Sequence, residues 1–180
     1  MTRIPQVTKE NASPKVQELF TAVQKAMGMV PNLVATLAQS PAAAQAYLGF
    51  SGALAHGSLP AKLRESIALA VGEANSCEYC VSAHTVLGGM AGLTPDGVQQ
   101  ARRGTASDPK TAAALGFVRK VVKERGIVSN GDVAELRTHG YTEGDIVELV
   151  AHTALNIFTN YFNHVAGTAI DFPIAEKLAA

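Results

Sequence analysis

The sequence has no tryptophan, and aromatic residues make up only 6% of its 180 positions. Charge is also scarce: Asp, Glu, Lys and Arg total 17%, with 15 acids balancing 15 bases. A chain without net charge has no basic surface to recruit nucleic acid or an anionic membrane, and neither is expected as a partner. The opening stretch, MTRIPQVTKENASPKV, lacks the apolar run of a secretory signal. No stretch approaches the roughly 18 apolar residues of a membrane span. The most apolar segment, DIVELVAHTALNIF, is interrupted by Glu148, His152 and Asn156. A cytoplasmic location is the expectation. Cysteine is nearly absent, with Cys77 and Cys80 the only two. In a reducing compartment a lone pair makes a poor structural staple, which leaves reactivity or metal binding.

Apolar residues are abundant, at 47%. A chain of this length is expected to form one domain over residues 1–180 and to bury a substantial core. Low charge beside so much alanine and glycine leaves apolar surface for further copies of the chain, so a homo-oligomer is expected. Proline and glycine divide the sequence into helical segments. SPKVQELFTAVQKAMG starts with Ser13 as N-cap and Pro14 at the first helical position, and Gly28 closes it. SPAAAQAYLGFSGALAHG repeats these signals with Ser40, Pro41 and Gly57. LPAKLRESIALAVGEA, CEYCVSAHTVLGGMAG, TPDGVQQARRG, DPKTAAALGFVRKVVKERG and TEGDIVELVAHTALNIFTNYFNHVAG follow. Nothing alternates with period two for long, so the fold class is all-α. Shifting the chain by 80 lays Glu65 on Asp145, Cys80 on Asn160 and His84 on His164. Two readings stay open: a chance match of alanine-rich helices, or an internal helical duplication whose second copy lacks the thiols.

The chemistry concentrates in EANSCEYCVSAHTVLGGMAGL, residues 73–93. With Asn75 or Ser76 as cap, Cys77 and Cys80 occupy the first turns of a helix. Helical periodicity then puts Cys77, Cys80, His84, Leu87, Gly88 and Ala91 on one stripe. Tyr79, Ala83, Val86 and Met90 form a core-like stripe, and Glu78, Ser82 and Thr85 a polar one. The helix N-terminus favours a thiolate, and His84 stands where it can take the thiol proton. A second sulfur three residues away is within disulfide reach. Nucleophile, resolving thiol and base suit the path from thiolate to sulfenic acid to disulfide. Glu65, on a segment apolar all round, is the candidate general acid, against a plain salt bridge with Arg64 or Lys62. Glu73, four residues before Cys77, is a weaker rival.

The pattern of Glu65, eleven residues, CEYC, three residues and His84 resembles the signature of the alkylhydroperoxidase D-like family. That family lies within the carboxymuconolactone decarboxylase superfamily. LRESIALAVGEANSCEYCVSAH and NIFTNYFNHVAGTAIDFP are similar to its peroxidase-related branch. The resemblance implies an alkylhydroperoxidase D-like helical bundle, an oligomer, and peroxide reduction through a Cys-x-x-Cys disulfide without metal, haem or other cofactor. It implies Cys80 as the peroxide-attacking thiol, Cys77 as the resolving thiol, His84 as base and Glu65 as part of a proton relay. The substrate would be a hydroperoxide, and the reductant a dithiol of the dihydrolipoamide or thioredoxin type. Members carry a histidine where this chain has Tyr79, so the relay here leans on Glu65 and His84. Decarboxylases of the superfamily lack the cysteine pair, which counts against a lyase.

Other readings of the same residues stand beside this one. Zinc on Cys77, Cys80 and His84 would lack a fourth ligand. A redox switch on a non-catalytic binding or scaffolding protein would use the same pair. His56, His139 and His152 show no partner pattern and are expected to be ordinary surface or satisfied core residues. His152, Asn156, Asn160 and His164 recur every four residues and need hydrogen-bond partners if buried. They form either a polar ladder between helices or subunits, or, at His164, an outer support for the thiols.

Overall fold

A computed structural model describes residues 2–178. Among them are nine helices and no strand, the all-α class expected. In order they are α1 (Pro14–Met27), α2 (Asn32–Leu37), α3 (Pro41–Ala55), α4 (Ala61–Ala74), α5 (Glu78–Met90), α6 (Pro95–Arg102), α7 (Pro109–Lys123), α8 (Asn130–Thr138) and α9 (Glu143–Ala166). Proline opens α1, α3, α6 and α7, where its fixed φ is already helical and its missing N–H would have had no partner. Ser40, Thr94 and Asp108 each accept a backbone N–H three residues on.

Two helices escape the sequence reading. Helix α8 did carry a signal, because Ser129 and Asp132 form a capping box; Thr142 and Asp145 open α9 in the same way. Helix α2 has six residues and no such signal. It is too short to stand alone, and tertiary contacts hold it: Leu33 to Leu37 are buried, and the Asn32 N–H donates to Asp171 Oδ2 at 2.7 Å.

Helix α4 is the centre. Ile67, Leu69, Ala70 and Val71 have no exposed surface, because α5, α6, α7 and α9 surround the helix. That is why its sequence is apolar on every side. The main core joins α4 to Leu115 and Val118 of α7, Leu136 of α8, and Ile146 and Leu149 of α9. Truncating a residue such as Leu69 or Leu149 to alanine would cost about 2–5 kcal/mol. A second cluster sets Val16, Phe20 and Val23 of α1 against Val34 and Ala35 of α2. A third packs Leu33, Leu37 and Ala44 around Cys77, Tyr79, Cys80 and Ala83.

Helix α9 has an unusual division of faces. Its inward side buries His152, Asn156, Asn160 and Asn163, while Val147, Val150, Phe158, Tyr161 and Val165 are exposed along the outer side. Gly167, at φ +61°, ends the helix in the left-handed region, which a glycine enters without strain. The following segment, 168–178, runs back over α5: the Ala175 N–H donates to Ser82 Oγ at 3.1 Å, and Arg102 donates to the Glu176 carbonyl at 2.8 Å. Ser82, on the polar stripe, is therefore fully buried, while Met90 of the core-like stripe lies at the helix end and is 81% exposed. Among the described residues no helix is long and apolar enough to cross a membrane.

Candidate active site

The turn between α4 and α5 sets the positions of the thiols. Asn75 caps the end of α4 and is fully engaged by α9: its Nδ2 donates to Asn160 Oδ1 at 2.9 Å, and its carbonyl accepts from His164 Nε2 at 2.9 Å. Ser76 takes a left-handed conformation, φ +55°. Neither is free to cap α5, so the expected cap is displaced by one or two residues and Cys77 itself becomes the N-cap. Its sulfur accepts the Cys80 N–H at 3.4 Å, the role a serine oxygen plays elsewhere. Gly72 lets the two helices close here. A Cβ on it would stand 3.3 Å from Val81 Cγ2 and 3.5 Å from Cys80 Cβ.

The two sulfurs are unbonded and lie 2.7 Å apart, both buried. Asn163 Nδ2 points at the pair, 3.2 Å from Cys80 Sγ and 4.0 Å from Cys77 Sγ. The hydrogen bond between the sulfurs lowers Cys77 to about 7, helped by the Cys80 amide, the nearby His164 and Asn163, and opposed by burial. The same bond, with burial and the charge on Cys77, pushes Cys80 up. The pair thus gives up one proton near neutrality and holds the other. The helix-start amide donates to the Cys77 sulfur and favours the charge there, while Cys80 is the more deeply buried of the pair.

His84 has a different partner. Its Nδ1 meets Glu65 Oε2 at 2.7 Å, with both side chains partly buried. The ion pair of Glu65 with Arg64 or Lys62 is not what forms. Arg64 turns instead to the Leu59 carbonyl at 2.7 Å. With Nδ1–H given to the carboxylate, His84 Nε2 is the acceptor. Glu73, the rival acid, is tied to buried Arg102 at 2.8 Å.

A cavity of about 260 Å³ opens beside Cys80 and is also lined by His84, Glu65, Tyr47, Tyr79, His152 and Asn156 among apolar side chains. Cys77 is not in its wall. That thiol lines a separate groove on the far side, with Glu73, Glu78, Arg102 and Ala175. Tyr79 is a post between elements: its oxygen accepts the Leu33 N–H at 3.1 Å, and its ring meets Phe172 edge-on at 5.9 Å. Burial raises its phenol further, so it supplies no base at neutral pH. Burial also raises Tyr47, to about 12, so its hydroxyl stays a donor.

Four α9 side chains frame the site from within. Asn160 and His164 of the four-residue ladder hold Asn75, so the ladder is both an inter-helix link and a support for the thiols. Asn163 lay outside that period and was missed. Its only signal was adjacency to His164 in a helix facing the CEYC turn. His152 departs from expectation: it is 5% exposed and its Nε2 has no hydrogen-bond partner. His139 behaves as expected, its Nδ1 on the Glu135 carbonyl of its own helix. Among the described residues no group of three or more His, Cys, Asp or Glu is placed to hold a metal ion.

Residues 41–124 match the carboxymuconolactone decarboxylase family. A peroxidase-related protein from Ralstonia eutropha JMP134, described as an alkylhydroperoxidase AhpD core, shares 30% identity over 94% of this chain and 92% of its own, with a TM-score of 0.87. The chain belongs to the carboxymuconolactone decarboxylase and alkylhydroperoxidase D-like superfamily. Two more distant structures share the superfamily's fold. One is a peroxidase-related protein from Silicibacter sp. TM1040, 23% identical over 93% of this chain and 89% of its own, TM-score 0.82. The other is the debrominase Bmp8 in complex with a tribromopyrrole, 22% identical over 95% and 92%, TM-score 0.80. No curated protein matches the chain. Membership of the superfamily places this chain among enzymes.

Proposed function

We propose that this protein reduces hydroperoxides with Cys80 as attacking thiol and Cys77 as resolving thiol. The observation that carries the reading is the division of the touching sulfurs: Cys80 faces a cavity shared with the Glu65–His84 pair, and Cys77 faces another opening. In the singly ionised pair a proton shift across the 2.7 Å contact moves the charge onto Cys80, where Asn163 Nδ2 receives it. The Cys80 thiolate attacks the terminal peroxide oxygen, the O–O bond breaks, and the alkoxide leaves with a proton relayed by His84 and Glu65. Cys80 is now a sulfenic acid. Cys77 loses its proton and attacks that sulfur, and hydroxide departs as water while the disulfide forms. One hydroperoxide becomes alcohol and water as two thiols become one disulfide.

A dithiol donor of the dihydrolipoamide or thioredoxin type then returns two electrons and two protons. It attacks Cys77 from the groove beside Glu78 and Ala175, releasing Cys80 as the leaving thiolate. The test is turnover with hydroperoxide and donor. Cys80→Ser should abolish it, and Cys77→Ser should leave a sulfenic acid that dimedone traps. Parental turnover in both variants would end the reading. A disulfide that forms without cycling would make the pair a redox switch, and turnover of a bromopyrrole but of no hydroperoxide would move the chemistry to that of the debrominase.

A further inference from the structure

Breaking the O–O bond puts negative charge on the inner peroxide oxygen, and a hydrogen-bond donor aimed at that oxygen speeds the cleavage. Helix α3 brings one to the cavity. Tyr47, Ser51 and Ala55 recur every four residues along it and line the space that Cys80, Glu65 and His84 also line. The Tyr47 ring is held on several sides. It packs against both the α1–α2 cluster and the cluster around Cys77, Tyr79 and Cys80, and its centroid lies 6.5 Å from that of Phe158. Its hydroxyl is not held. Tyr79 Oη accepts from the Leu33 N–H and Tyr141 Oη donates to the Lys110 carbonyl. Among the described residues no hydrogen-bond partner meets Tyr47 Oη, and the atom is not sealed from the cavity as His152 Nε2 is. Two donors on the α9 wall are already spent: Asn156 Nδ2 on the His152 carbonyl and Thr159 Oγ1 on the Asn156 carbonyl.

The charges that act on this hydroxyl belong to the reacting groups. Beyond the effect of burial, Cys80 and Glu65 are what raise its phenol to about 12. The hydroxyl thus lies within the field of both the attacking sulfur and the relay, and it keeps its proton at neutral pH. We infer that Tyr47 is a further catalytic residue, whose hydroxyl donates to the inner oxygen of the bound hydroperoxide and holds the charge that develops there. The S–O bond to Cys80 forms as the O–O bond breaks, and the electron pair passes to the inner oxygen beneath the Tyr47 O–H. Tyr47 itself loses no proton. The proton that turns the alkoxide into alcohol comes through His84 and Glu65. This role rests on the peroxidase reading and divides the work on the leaving oxygen between a fixed donor and a proton relay.

Single-turnover oxidation of the reduced protein at neutral pH tests it with two oxidants. Cumene hydroperoxide expels an alkoxide, and peracetic acid expels the much less basic acetate. Tyr47→Phe should slow reaction with the hydroperoxide about 10²-fold and with the peracid far less. The iodoacetamide midpoint of the thiols should stay at the parental value, because the hydroxyl acts on the leaving oxygen and not on the sulfur. Stability to urea should not fall, since the lost hydroxyl leaves no protein group unpaired. Equal slowing with both oxidants, a shifted alkylation midpoint or a variant that does not fold would overturn the inference. A parent that reduces cumene hydroperoxide while Tyr47→Phe keeps pace would sink the role of Tyr47 alone. A parent inert to hydroperoxides would sink the peroxidase reading and the role of Tyr47 with it.

Discussion

Replacing Asn163 by leucine removes a side-chain amide that donates to the thiols while keeping the branched shape. Asn163 Nδ2 lies 3.2 Å from Cys80 Sγ and 4.0 Å from Cys77 Sγ, so it favours the ionised pair wherever the charge resides. Hydrogen bonds to charged groups contribute about 1.5–3 kcal/mol. Sulfur is a weak acceptor, so the lower figure applies, and about 1.4 kcal/mol corresponds to one pKa unit. The first proton of the pair, lost at about 7 in the parent, should then leave near 8. At neutral pH the ionised fraction falls from about one half to about one tenth, and peroxide reduction should slow roughly fivefold. Above about pH 9 the rate should recover, since the lost interaction shifts the titration and leaves the nucleophile in place. Asn163→Asp keeps the shape and brings a negative charge, so it should move the midpoint further up. Iodoacetamide alkylation against pH reports the midpoint without any peroxide, and the pH–rate profile should follow it. An alkylation midpoint unchanged in both variants would refute the role given to Asn163.

Glu65→Gln should slow peroxide reduction about 10²-fold or more while diamide still forms the disulfide at the parental rate; an unchanged pH–rate profile would remove Glu65 from the relay. The reduced protein should be most stable near the ordinary thiol pKa of 9.0, because between about 7 and 9 the unfolded chain holds both thiol protons and the native pair only one. Above that range the native pair keeps the Cys80 proton that the unfolded chain has lost, so stability falls again. The rise should be at most about 3 kcal/mol by urea unfolding and should vanish in Cys77→Ser; a maximum that persists there would refute it. The exposed stripe of Val147, Val150, Phe158, Tyr161 and Val165 should bury itself on another copy, giving a light-scattering mass above 18.7 kDa that Val165→Glu reduces to a single chain. A monomeric parent at micromolar concentration would contradict this.

What the sequence by itself determined lies within a few residues of its cause. Prolines at helix starts, Gly28 and Gly167 past helix ends, and the continuous apolar run of α4 each act through local backbone geometry or through burial on every side. The spacing of CEYC put two sulfurs within one turn, and Glu65 and His84, both singled out in the sequence, meet across adjacent helices. Helix α8 is legible through its Ser129–Asp132 capping box. Only the tertiary structure decided the rest. Local rules suggested Asn75 or Ser76 as the cap of α5, but α9 claims Asn75 from 85 residues away, and the cap passes to Cys77. That shift puts the helix-start amide on the Cys77 sulfur. Asn163 reaches Cys80 across 83 residues, beyond any helical period. His152 resembles an ordinary histidine in sequence, but the packing around α9 buries it and leaves its Nε2 without a partner. Periodicity reports which side of a helix is buried. What a buried polar group meets there depends on chain segments remote in sequence, and the folded arrangement alone brings them together.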